Sequence, residues 1–179
     1  CNVCGMHLTK FYKTSHATEF KNGHKEQYCS LHCQAQIEEE HADKIKNIQV
    51  VDTNSLKFID AKSAIYVVGS SKPGTMTPIS KYAFSTKEEA QKFQKEFGGE
   101  IHTFDESLNM AKKALNKENS AIDEKRVPMA IKGKKAFETM CDTKQTKDFN
   151  SIGEAKQYLI DNKVCKNLNP QMIQAVAIY

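Results

Sequence analysis

The chain opens CNVCGMHLTK, and the residues able to do chemistry crowd into that end. Cys1 and Cys4 stand three apart. After 24 intervening residues, Cys29 and Cys33 stand four apart in YCSLHC, and Cys141 and Cys165 follow far downstream. Six cysteines in 179 residues are too few for a disulfide scaffold. C-x2-C followed by C-x3-C is closer to the spacing of a metal framework. Four thiolates can close a tetrahedral zinc site, or they can hold copper(I), which prefers soft sulfur donors. Two disulfides, plain buried thiols, or a dithiol redox pair at Cys1 and Cys4 are the competing readings. The redox pair lacks the thioredoxin-like strand that such a motif follows.

Met6 favours copper. A thioether is a poor zinc ligand and a good copper(I) ligand, and Met6 follows the first pair directly. Met76 lies in SSKPGTMTPIS, a loop with two prolines and no helical or strand period, where a core role is less expected. Met172, by contrast, falls on a helical stripe and reads as packing. His7, His16, His24, His32 and His41 surround the cysteines in sequence. Each is expected to be a surface imidazole, with His32, inside the second pair, the best candidate ligand among them.

These residues need elements to position them. HLTKFYKTSHATEFKNGHKEQYCS reads as a hairpin turning at Asn22-Gly23. Cys29 then precedes an expected helix N-cap, where the helix dipole would help hold a thiolate. IQVVDTNSLKFID, SAIYVVGS, YAFS and EIHTF read as strands. TKEEAQKFQKEF is a helix with an expected capping box at Ser85 and Glu88. Ala90, Phe93 and Phe97 line its buried face, and Gly98-Gly99 end it. Strand, strand, helix, strand thus recurs in two rounds, which predicts an α+β fold. A helix with Leu108, Ala111 and Leu115 on one face follows, and its polar tail reads as a linker. The expected domains are 1–107, metal-binding; 108–124, helix and linker; and 125–179, small and all-α. The last domain has an expected capping box at Ser151 and Glu154 and a helix starting at Asn169-Pro170.

Composition excludes several classes. The 26 basic and 22 acidic residues alternate, for a net charge of +4, so the charge reads as solvated surface and no nucleic-acid partner is expected. No apolar run approaches the roughly 20 residues of a membrane span. The first residue is not Met, so any signal or anchor is expected to have been lost from view, and membrane association would come only through that missing N-terminal anchor. No catalytic triad or carboxylate pair stands out, and no catalytic residue is assigned. Asp60 and Asp105 read as turn and cap residues, and VVGSSKPG lacks phosphate-loop spacing.

Two resemblances attach to these motifs. CNVCGM, the hairpin and YCSLHC, residues 1 to about 40, resemble the TRASH module of heavy-metal trafficking and sensing proteins, related to YHS domains. The CGM start, FIDAKSAIYVVGS, the GTM loop, YAFSTKEEAQKF and FGGEIHTFDE, within about residues 1 to 107, resemble the NosL family of nitrous oxide reductase accessory proteins. The second resemblance implies two ββαβ units and a copper(I) chaperone of the periplasm or cell envelope, often a lipoprotein. It implies a copper-receiving enzyme or a membrane transporter complex as partner. Carried over by motif, its copper ligands are Cys4, Met6 and Met76, a two- or three-coordinate set open to a partner's ligand. Cys1, Cys29 and Cys33 depart from the pattern and add ligands or a separate structural zinc. From about residue 130 the chain is similar to a small c-type cytochrome. However, the attachment motif C-x-x-C-H is incomplete, since Cys141 is followed by Asp142, Thr143, Lys144 and Gln145. No haem is expected there, and Cys141 and Cys165 are free to pair with each other.

Overall fold

The computed structural model describes residues 1–144 and 147–179. Gln145, the last residue of the incomplete haem-attachment stretch, lies outside the described residues, as does Thr146. The chain divides into two compact units. His7–Glu118 form a β-rich unit, and Cys1–Met6 join Asn119–Tyr179 in a helical unit. By compactness the first six residues fall with the C-terminal helices, whereas the sequence reads 1–107 as one metal-binding domain.

In the β-rich unit the two rounds are present. The first consists of β1 (His16–Phe20), β2 (Lys25–Tyr28), α1 (Leu31–His41) and β3 (Ile45–Val51), to which β4 (Phe58–Asp60) is added. The second consists of β5 (Ile65–Val68), β6 (Lys81–Phe84), α2 (Lys87–Phe97) and β7 (Glu100–Thr103). They make two antiparallel sheets, ordered β2-β1-β3-β4 and β6-β5-β7. The β1–β2 hairpin turns at Asn22-Gly23, as expected. Gly23 sits at φ 84° and the Asn22 carboxamide oxygen accepts from the His24 amide at 3.0 Å. Strand β5 is buried on both faces because its side chains alternate. Tyr66 and Val68 join Leu31, Ala35, Ile48 and Val50, while Val67 packs with Phe84 and Ala90 beneath Phe93.

Two local expectations shift. The N-cap of α2 is Thr86, whose hydroxyl accepts from the Glu89 amide, and not Ser85. Ser85 is already committed, since its amide donates to buried Asp52 at 2.9 Å. The stretch expected as a linker is helical, because α3 runs without a break from Phe104 to Met140 with Pro128 inside it. Thr103 and Glu106 cap it reciprocally, the Glu106 amide donating to the Thr103 hydroxyl and the Thr103 amide to the Glu106 carboxylate. Polar residues of good helix propensity between Asn116 and Lys125 look like linker composition but need no burial to remain helical. The face Leu108, Ala111 and Leu115 is buried in the β-rich core with Phe104, as its period required.

In the helical unit, α4 (Ile152–Asp161) and α5 (Pro170–Ile178) follow α3. Ser151 and Asn169 cap them as expected. Ala136, Leu159, Val164 and Val176 form the core, with Met172 packed against it. Cys141 and Cys165 are joined in a disulfide. Asp60 caps the short turn after β4. Among the described residues no helix is long and apolar enough to cross a membrane.

His16, expected at the surface, is fully buried. Its Nδ1 lies 3.0 Å from the Thr14 carbonyl and its Nε2 2.9 Å from the Tyr66 hydroxyl. These partners fit a neutral ring that donates from Nδ1 and accepts at Nε2. Burial pushes its pKa down to about 4, against a weaker upward pull from the Thr14 bond. The folded state therefore binds fewer protons than the unfolded chain between pH 6.5 and 4, and stability falls as pH falls through that window. The loss is on the order of 3 kcal/mol. Urea titrations at pH 7 and pH 4 should show this difference in the wild type and a smaller one in His16→Gln.

Candidate metal centre

In the β-rich unit the second cysteine pair is built by the end of β2 and the start of α1. Tyr28 ends the strand, Cys29 turns the chain, and Ser30 is the N-cap with an extended backbone. Cys33 lies in the first turn of α1, four residues on, so its sulfur comes back over Cys29. The two Sγ atoms are 3.8 Å apart and both residues are fully buried. The first turn of α1 contains no acidic residue of its own, and the field at a helix N-terminus favours thiolates. The Thr14 hydroxyl fixes the turn by donating to the Cys29 carbonyl at 2.8 Å.

The same Thr14 hydroxyl lies 2.8 Å from that of Thr75, the neighbour of Met76. A cavity of about 10 Å³ has Thr14, Ser30, His32 and Thr75 in its lining, with Leu31, Ile79 and Lys81 completing it. Residues flanking Met76 and residues flanking Cys29 thus share one small space. Met76 itself is half-buried and sits at φ 68°, in the left-handed region that side chains other than glycine's rarely occupy. Strain of this kind persists only where the surroundings impose it, and it concentrates at functional sites.

His32 is buried between the two cysteines of this pair, not at the surface as expected. Its Nδ1 is 2.7 Å from a Glu118 carboxylate oxygen, which ties the first turn of α1 to α3. Lys81 lies 3.9 Å from the other Glu118 oxygen; burial lowers its pKa, with Glu118 opposing. His7 is exposed, and His24 pairs with Glu26 at 3.1 Å.

In the helical unit, Cys1–Met6 fold into a hook. The Gly5 amide donates to the Cys1 carbonyl at 2.9 Å, and the Cys1 and Cys4 sulfurs lie within 4.8 Å of each other. Cys4 is buried, while Cys1 and Met6 are half-buried. Gly5 has φ 72°, where any other residue would be strained, and a Cβ there would push on the Gln174 carboxamide at 2.9 Å. The Lys156 ammonium donates to the Gly5 carbonyl at 2.7 Å. Burial lowers its pKa, and nearby Cys4 opposes the shift. Gln174 donates to the Cys4 carbonyl at 2.9 Å.

Cys1, Cys4, Cys29 and Cys33 are the cysteines outside the disulfide and the candidate metal ligands among the His, Cys, Asp and Glu of the described residues. A sequence profile of the NosL family matches residues 1–110, which is more than half of the chain. The chain belongs to the NosL family. The crystal structure of the copper chaperone NosL from Shewanella denitrificans is similar at a TM-score of 0.52 and 29% identity, covering 59% of this chain and 87% of that one. No curated protein matches. The NosL region contains both cysteine pairs, Met6 and Met76, and it ends before α4 and α5. Sequence reading missed Thr14, Thr75, Glu118, Lys156 and Gln174. Each acts through a partner distant in sequence, and none carries a local motif.

Proposed function

We propose that this protein is a copper(I) chaperone that accepts the ion on Cys4, Met6 and Met76, with Cys1, Cys29 and Cys33 as further sulfur donors. It hands the ion to a copper-receiving enzyme or membrane transporter complex of the cell envelope, with nitrous oxide reductase as the expected final recipient. It is a carrier and not an enzyme. The observation that carries this reading is the buried Cys29–Cys33 sulfur pair, 3.8 Å apart, in a member of the NosL family. An all-sulfur donor set fits copper(I). Cys4, Cys29 and Cys33 are buried, whereas Cys1, Met6 and Met76 are half-exposed. The buried donors give retention, and the half-exposed ones are where a recipient's ligand enters to begin exchange.

Several finer readings belong to the same proposal. The β1–β2 hairpin between the two cysteine pairs supports a TRASH-type reading of the first forty residues. The capped helices support a cytochrome-like origin for the C-terminal part, in which Cys141 is committed to Cys165 and not to haem attachment. That disulfide also supports an oxidising compartment, such as a periplasm, where a lipid-anchored form would work.

The test is metal content by mass spectrometry on protein offered copper(I) and zinc together. One copper per chain is the expected result. Met76→Leu should lower copper(I) affinity about tenfold in a competition assay and leave the unfolding midpoint of the metal-free protein unchanged. Tightly held zinc with no copper uptake would turn the site into a structural one and end the chaperone reading.

A further inference from the structure

We propose that α4 and α5 are the positioning device for the N-terminal metal hook, so that this chain presents Cys1, Cys4 and Met6 through residues beyond its NosL region. The proposal rests on the copper reading only for the identity of the cargo. Four successive carbonyls of the hook accept hydrogen bonds from these helices and their caps. Asn2 accepts from the Ser151 hydroxyl at 2.7 Å and Val3 from the Gly153 amide at 3.4 Å. Cys4 accepts from the Gln174 carboxamide at 2.9 Å and Gly5 from the Lys156 ammonium at 2.7 Å. The two longest-reaching donors also hold each other, with Lys156 donating to the Gln174 oxygen at 2.8 Å.

A six-residue segment has no core of its own, and ordering it costs roughly 1–2 kcal/mol per residue in backbone entropy. Consecutive backbone bonds to a packed pair of helices offset that cost and select one conformation. The sequence accommodates the approach on both sides. Gly5 leaves room for Gln174, and a Cβ at Gly153 would collide with the Asn2 carbonyl. These four bonds go to backbone carbonyls and so set where the sulfur atoms stand. Supporting groups of this kind typically contribute ten- to a hundredfold to metal affinity.

The experiment uses the full chain with its disulfide intact and three variants, Lys156→Met, Gln174→Met and Lys156→Arg. The first readout is made without metal: the alkylation rate of each cysteine with N-ethylmaleimide, mapped by mass spectrometry. In both Met variants Cys1 and Cys4 should react about tenfold faster, with Cys29 and Cys33 unchanged and helical content retained. Lys156→Arg, which keeps a donor, should restore the wild-type rate. The second readout is copper(I) affinity against a chromogenic chelator, expected to fall at least about tenfold in the Met variants and to recover in Lys156→Arg. Unchanged alkylation at Cys1 and Cys4, or equal acceleration at all four cysteines, overturns the proposal. If the wild-type chain binds no copper(I), the function assigned above fails, while the alkylation contrast still decides the role of α4 and α5.

Discussion

Cys33→Ser lowers copper(I) affinity by about a hundredfold or more, corresponding to roughly 3 kcal/mol, while the metal-free protein keeps its fold. The argument has two parts. A serine hydroxyl is a hard, neutral donor that does not replace a thiolate toward a soft ion. The fold, by contrast, treats a metal-free buried cysteine as a small apolar residue. Its replacement by serine leaves a hydroxyl in the first turn of α1, at a cost of about 1–3 kcal/mol. Competition against a chromogenic chelator measures the first effect, and urea unfolding without metal measures the second. Loss of affinity with a cooperative unfolding transition preserved fits a transfer site. If chelation alone unfolds the wild type, the metal is a folding determinant and the carrier reading is lost.

Replacing both Cys141 and Cys165 with alanine destabilises the helical unit by about 3 kcal/mol, which lowers its melting transition by more than about 10 °C. The bond closes a loop between residues 24 apart, and opening that loop frees the unfolded chain. Few other contacts serve the same end. The core of this unit is small, built on Ala136, Leu159, Val164 and Val176, and units of this size gain little from burial alone. Around the disulfide, the Asp142 amide donates to the Val164 carbonyl at 2.8 Å and the Lys166 amide to the Met140 carbonyl at 2.9 Å. These bonds share the geometry that the disulfide enforces, so they weaken with it. Calorimetry with and without reductant, on the wild type and the double variant, checks the prediction. Equal transitions in all four samples would remove the disulfide from the stability of the unit.

Local signals in the sequence carried most of the β-rich fold. The alternation in SAIYVVGS, the Asn22-Gly23 turn and the stripes on α2 and α3 are short-range patterns, and each produced the element it implied. The α2 cap slipped by one residue because Ser85/Glu88 and Thr86/Glu89 offer the same spacing. Asp52, thirty-three residues earlier, decides between them by taking the Ser85 amide. The length of α3 was hidden because exposed helix and linker share a polar composition. His16 and His32 read as surface groups in the sequence because burial of a polar ring depends on partners such as Tyr66 and Glu118 that periodicity does not reveal. The cysteine pairs were visible as spacing. Their support was not, since the bonds to the hook join residues about 150 positions or more apart.

The bond from Gln174 to the carbonyl of Cys4 spans 170 positions of a chain that is synthesised from the N-terminal side. Cys1 and Cys4 are therefore made well before α5 and acquire their final setting only after it. Such long-range closure is slow to form. A product truncated before Asn169 would still contain Cys1, Cys4, Cys29 and Cys33, but it would lack the last tether. A finished hook thus reports that synthesis has passed α5 and that α5 has packed.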